Sequence, residues 1–83
     1  MANKLFNQLV EELIGIKDKK LMRNFLEGLF TPQELEEIPM RVQIVKLLKK
    51  GMPQHEIAEK LGVGVATVTR GSKEIAKGHF KTI

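Results

Sequence analysis

Between Gln54 and Lys73 the chain reads QHEIAEKLGVGVATVTRGSK, and this run constrains the fold more than any other. Two short helix-forming segments flank a tight glycine turn, and the second is rich in small and hydroxyl side chains. That is the pattern with which a helix-turn-helix presents a recognition helix to DNA. Ile57, Leu61, Val63 and Val68 fall where the two helices bury side chains against each other. Ala58 falls at their crossing, where only a small residue fits, and Gly62 falls at the turn, where a left-handed backbone favours glycine. The alternative is a generic helical hairpin, which does not require these six positions together.

The exposed start of the second helix offers Val65, Ala66, Thr67 and Thr69. Small side chains allow close approach to a groove, and threonine can bond base edges or phosphates while its methyl touches a thymine methyl. Gln54 and His55 open the preceding helix and can bond phosphates through side chain and backbone N–H groups. His55 suits a solvated surface equally well. Bidentate base-reading chemistry is scarce on this helix, so specificity is expected to lean on water-mediated contacts and DNA shape. The charge agrees: residues 1–37 hold five basic and seven acidic side chains, residues 38–83 nine and three. A net −2 half is thus joined to a net +6 half that contains the motif, as a phosphate-binding footprint requires. Ordinary solvated lysines are the plain alternative.

The rest of the chain also reads as helix, with apolar residues at helical spacing and no strand pattern. A first helix is expected from about Asn3 to Gly15, with Leu5, Phe6, Leu9, Val10, Leu13 and Ile14 as its stripe. Asp18 can cap a second that ends near Phe30. Thr31-Pro32-Gln33-Glu34 is a strong start for a third, with Thr31 as cap, Pro32 at the first helical position and Glu34 closing a capping box. Pro39 is expected to kink or divide that helix. Its continuation, Met40 to Lys50, ends at Gly51. Pro53 introduces a helix over Gln54–Leu61, and a last one spans about Val65 to Lys77.

Eighty-three residues make one small all-α domain, with residues 1–30 expected to dimerise and residues 31–83 to bind DNA and ligand. The two amino-terminal stripes are wider than a small trihelical core can cover, which implies an interlocked homodimer; a compact monomeric bundle is the alternative. Without cysteine there is no disulfide, thiolate metal site or thiol nucleophile, which fits a reducing compartment. No apolar run approaches the roughly 18–20 residues of a membrane span, and the start lacks the features of a signal peptide. His55 and His79 lie in different elements with no nucleophile or metal set nearby, so no catalytic or metal site is expected.

Gly71 breaks the helix-turn-helix pattern, which wants a bulky apolar residue there. A glycine inside a helix costs about 1 kcal/mol relative to alanine. It also leaves an expected empty place beneath the recognition helix, for a partner side chain or a ligand. Arg70 beside it and Arg41 on the preceding helix can flank a planar group or hold a carboxylate. Arg70 can equally bind phosphate or pair with Glu74 one turn on.

Phe30-Thr31-Pro32-Gln33-Glu34, Arg41-Val42-Gln43-Ile44-Val45 and the run from Leu61-Gly62 through Ala66-Thr67-Val68-Thr69-Arg70-Gly71-Ser72 together resemble the tryptophan repressor family. The resemblance covers about Phe30 to Ser72. It implies an all-helical, intertwined homodimer that represses transcription when L-tryptophan is bound. It places the indole between Arg41 and Arg70, with Arg70 on the ligand carboxylate and Val45 and Gly71 lining the pocket. Phe30 and Thr31 would approach from the other subunit. The implied operator contacts are Gln54, His55, Val65, Ala66, Thr67 and Thr69, and the implied location is the bacterial cytoplasm, on the nucleoid when DNA is bound.

Five departures stand out, one of them a connection between Val45 and Gln54 that is one residue shorter than in the family. Gly28 replaces a larger apolar residue, and Glu74 replaces a small hydroxyl residue near the ligand's amino group. Its carboxylate can hold an ammonium group or occupy Arg70. Pro39 interrupts a helix continuous in the well-known member, and no counterpart of the family's final helix is expected. A DNA-binding regulator that needs no ligand, or a helical adaptor docking on protein, are the competing functional readings.

Overall fold

The computed structural model describes residues 2–83. Among them are five helices and no strand: α1 (Ala2–Gly15), α2 (Lys19–Leu29), α3 (Pro32–Lys49), α4 (Gln54–Leu61) and α5 (Val65–Ala76). They divide into two compact units, one ending at Leu35 and the other spanning Glu36–Ile83.

In the amino-terminal unit the helix starts are made by side chains. Asp18 accepts from the Leu21 N–H at 3.0 Å and caps α2. Thr31 and Glu34 form the reciprocal capping box: Thr31 Oγ1 accepts from the Glu34 N–H at 3.1 Å, and Glu34 Oε1 accepts from the Thr31 N–H at 2.9 Å. The stripes of α1 and α2 are largely open. Leu5 is 68% exposed, Phe6 63%, Ile14 64% and Leu21 63%. Burying such side chains is worth about 1.5–3 kcal/mol each. These helices therefore carry apolar surface that the unit does not itself bury.

Pro39 does not divide α3, which runs without interruption from Pro32 to Lys49. Proline removes one N–H, so the Leu35 carbonyl loses its helical donor, while the turns on either side keep theirs. The apolar run that follows anchors the helix, with Ile44, Val45 and Leu47 buried.

The carboxy-terminal unit is built around the helix-turn-helix. Ile44, Leu47, Ile57, Ala58 and Val68 form its core, and Met40, Leu48, Met52, Leu61 and Val63 pack against it. Ile57 and Val68 are wholly inaccessible, so α4 and α5 each contribute one residue to its centre. Leu61 and Val63, expected between the helices, are only half-buried at the edge of this core. At the turn Gly62 adopts φ 69°, ψ 35°, and its N–H bonds the Ala58 carbonyl. The Val63 N–H reaches the same carbonyl at 3.0 Å. A left-handed residue here is what turns the chain into α5, and a Cβ would strain it.

The end of the chain is ordered by its backbone. The Gly78 N–H bonds Ile75 O at 2.9 Å and the His79 N–H bonds Glu74 O at 3.1 Å. Those two bonds are the Schellman closure of α5. Beyond it Lys49 Nζ donates to the carbonyls of Phe80 and Ile83.

Two destabilisations follow from this packing. Ile57→Ala should cost about 2–5 kcal/mol by leaving a cavity at the centre of the core. Thr31→Ala should cost about 0.5–2 kcal/mol through the lost cap. Urea unfolding followed by circular dichroism measures both, and the Ile57 change must be the larger.

Candidate effector and DNA-binding site

α3 and α5 meet at Gly71. A Cβ built there would lie 3.3 Å from Ile44 Cγ2 and 3.4 Å from Leu48 Cδ1. The expected empty place beneath the recognition helix is therefore taken by side chains of α3, and glycine is what lets the two helices come this close. Gly71 and Ile44 also line a groove between these helices.

That groove has a volume of about 630 Å³, within the roughly 300–1,000 Å³ of small-molecule sites. From α3 it takes Glu37, Met40, Arg41, Ile44 and Val45; from α5 Ala66, Thr67, Arg70, Gly71 and Glu74; Val63 and Phe80 complete it. Five of the seven ligand candidates thus line one cavity: Arg41, Val45, Arg70, Gly71 and Glu74. Phe30 and Thr31 belong to the other unit. Phe30 is half-buried at the end of α2, and Thr31 is occupied in the capping box.

The charges around this groove sort into paired and free. Arg41 stands 3.9 Å from Glu37 in an exposed pair, which is worth little. Arg70 is exposed and has no ion-pair partner among the described residues. Glu74 does not pair with Arg70. Its Oε2 accepts from Lys77 Nζ at 3.2 Å, and its Oε1 meets His79 Nδ1 at 2.9 Å. The bond from Lys77, and then that from His79, hold the Glu74 carboxyl below its ordinary value. The Schellman closure explains the geometry, because it brings His79 back over the last turn of α5.

Sequence reasoning missed Phe80. It is half-buried with φ 61°, a left-handed conformation uncommon for a side chain of this size. Nothing in a six-residue tail signals that its backbone will be held by Lys49, thirty-one residues earlier. Val63 was legible as core and carried no sign that it also faces a groove; Met40 was not singled out.

The outer surface of α5 has a different chemistry. Val65, Ala66, Thr69, Arg70, Lys73, Glu74 and Lys77 line a second, shallower cleft with three cations. Val65 is 50% exposed, and Ala66, Thr67 and His55 are also exposed. Gln54 and Thr69 are half-buried, and Thr69 Oγ1 donates to Gln54 Oε1 at 2.7 Å. The six DNA candidates therefore lie on α4's first turn and on α5, with Ala66 and Thr67 shared with the groove. No group of acidic, histidine or cysteine residues among those described could hold a metal ion, and no helix is long and apolar enough to cross a membrane.

Comparison with known proteins points to a family. The family model described as Trp repressor protein matches residues 4–81. A Trp operon repressor homolog of Vibrio campbellii is 41% identical over 71 residues, covering 84% of this chain and 71% of the relative. One of Vibrio parahaemolyticus is also 41% identical, with 84% and 69% covered. One of Aliivibrio salmonicida is 37% identical over 75 residues, covering 89% and 68%. No solved structure matches the chain significantly.

The contact at Gly71 predicts that Gly71→Val destabilises the chain by about 1–3 kcal/mol through overpacking against Ile44, read as a lower urea midpoint. Glu74 predicts an acid limb. A carboxyl held below its ordinary value in the fold stabilises above that value, 4.5, and the contribution is lost as pH falls through the lowered one. Melting temperature should therefore fall less steeply below pH 4.5 in Glu74→Gln than in the parent.

Proposed function

This chain belongs to the Trp repressor family and is a DNA-binding transcriptional repressor, and we propose that L-tryptophan, held between Arg41 and Arg70, switches it on. One observation carries the reading: two guanidinium groups from different helices border a single apolar groove whose wall includes the recognition helix. The free Arg70 receives the amino acid's carboxylate, for which its planar fork is suited. Arg41 covers the indole face. Met40, Ile44, Val45 and Val63 supply the apolar lining, and Phe80 adds an aromatic edge. Glu74, already bonded to Lys77 and His79, faces the ligand's ammonium group.

The active species is an intertwined homodimer. Support comes from the uncovered stripes of α1 and α2, which are larger than solitary exposed apolar residues on an ordinary surface. Residues 1–30 serve dimerisation and residues 31–83 serve DNA and effector. Phe30 and Thr31 close the groove from the second subunit. Two recognition helices then enter successive major grooves about 34–36 Å apart on the operator. Val65, Ala66 and Thr67 meet base edges, and Gln54 and His55 meet phosphates. The work is done in the bacterial cytoplasm, on the nucleoid when DNA is bound. Ligand binding and DNA binding are coupled because Ala66, Arg70 and Glu74 line both the groove and the outer cleft of α5.

The chain has no tryptophan and no tyrosine, so added L-tryptophan can be followed by its own fluorescence. Titration should show saturable binding near one ligand per chain, and Arg70→Ala should abolish it. An unchanged response in that variant would remove Arg70 from the site. Absence of binding at millimolar ligand, with tight operator binding by the ligand-free dimer, would instead establish a regulator that needs no effector. Failure to bind DNA even at low salt, where phosphate contacts are strongest, would establish the protein-docking reading.

A further inference from the structure

The Thr69–Gln54 hydrogen bond links α4 and α5 on the DNA side of the motif. Thr69 Oγ1 donates to Gln54 Oε1 at 2.7 Å, across fifteen residues of chain. A threonine hydroxyl on a helix commonly turns to the carbonyl one turn back. Here it is directed to another side chain, and both partners are half-buried.

Donor accounting decides what each can then do. A hydroxyl has one proton to give, whereas a glutamine amide has two N–H donors and one carbonyl. Phosphate oxygens only accept. Thr69 has committed its proton to Gln54 and has none left for a phosphate. Gln54 has committed its carbonyl and keeps both N–H donors. With the oxygen fixed on Thr69, the amide nitrogen lies on the side of the group away from it. Thr69 also lines the cleft that holds Arg70, Lys73 and Lys77, where a phosphate chain is drawn electrostatically.

We propose that Thr69 is a positioning residue, which orients the Gln54 amide so that its N–H donors face a DNA phosphate beside this cationic cleft, and that Thr69 itself donates no bond to a phosphate. The inference rests on the chain being a DNA-binding repressor. It changes the role of a residue that sequence alone places among the direct contacts. It also makes α4 and α5 one rigid unit before DNA arrives, so the glutamine need not be ordered on binding.

Because a phosphate contact is independent of base sequence, a mixed-sequence duplex of about 30 base pairs at low salt is a sufficient probe. Affinity is measured for the full chain and for Thr69→Val, Thr69→Ser, Gln54→Ala and the Thr69→Val/Gln54→Ala double variant, with melting temperature alongside. Thr69→Val should bind roughly tenfold more weakly, the scale of one hydrogen bond to a charged group, and Thr69→Ser should restore binding. In the Gln54→Ala background Thr69→Val should add no further loss. An equal loss in both backgrounds overturns the inference, because Thr69 would then act on DNA directly. So does wild-type affinity in Thr69→Val. A parent chain that binds no duplex overturns the DNA reading and this inference with it. Should Thr69→Val unfold, Gln54→Glu carries the test. It keeps an acceptor for Thr69 and loses the amide donor, so it must melt like the parent and bind at least about tenfold more weakly; parental affinity overturns the proposal.

Discussion

The close approach of α3 and α5 at Gly71 governs both surfaces of the carboxy-terminal unit. Ile44 is the pivot. It is almost wholly buried, it belongs to the core with Ile57 and Val68, and its Cγ2 reaches within 3.3 Å of where a Cβ at position 71 would lie. On either side of it, Thr67, Arg70 and Glu74 of α5 line one cavity with Arg41 and Val45 of α3.

From that contact α5 acquires two faces with separate tasks. Residues 66, 67, 70, 71 and 74 border the groove, while residues 65, 69, 73 and 77 border the outer cleft. Helical periodicity alone produces this division, since a step of about 100° per residue returns positions three and four apart to one side. Only positions 66, 70 and 74 serve both. The groove and the outer cleft thus share residues of a single helix.

Much of this was legible in the sequence because it is written in local chemistry. The capping box at Thr31 and Glu34, the cap at Asp18 and the left-handed turn at Gly62 each depend on a few adjacent residues. Core positions followed from periodicity, whereas the pairing of Arg41 with Arg70 around a ligand came from the family resemblance. What was not legible depends on pairs distant in sequence. The bond from Thr69 to Gln54, the hold of Lys49 on the tail and the placing of Phe80 in the groove arise only once helices have packed. Pro39 shows the converse: its local signal allowed a kink or a break, and α3 runs unbroken through it, with Ile44, Val45 and Leu47 buried beyond. Gly71 was read as a vacancy because its neighbours in α3 cannot be seen from α5.

A glycine contact of this kind also shapes how the protein can diversify. Selection for a different effector usually proceeds by growing or shrinking residues at the floor of a site. Here the floor is fixed in one direction, because the smallest residue is already in place and backing it are side chains of the core. Room for change lies instead at Glu74 and Phe80, which line the groove outside the buried core. Ligand identity and operator recognition can thus drift apart over generations while the hinge between them stays the same.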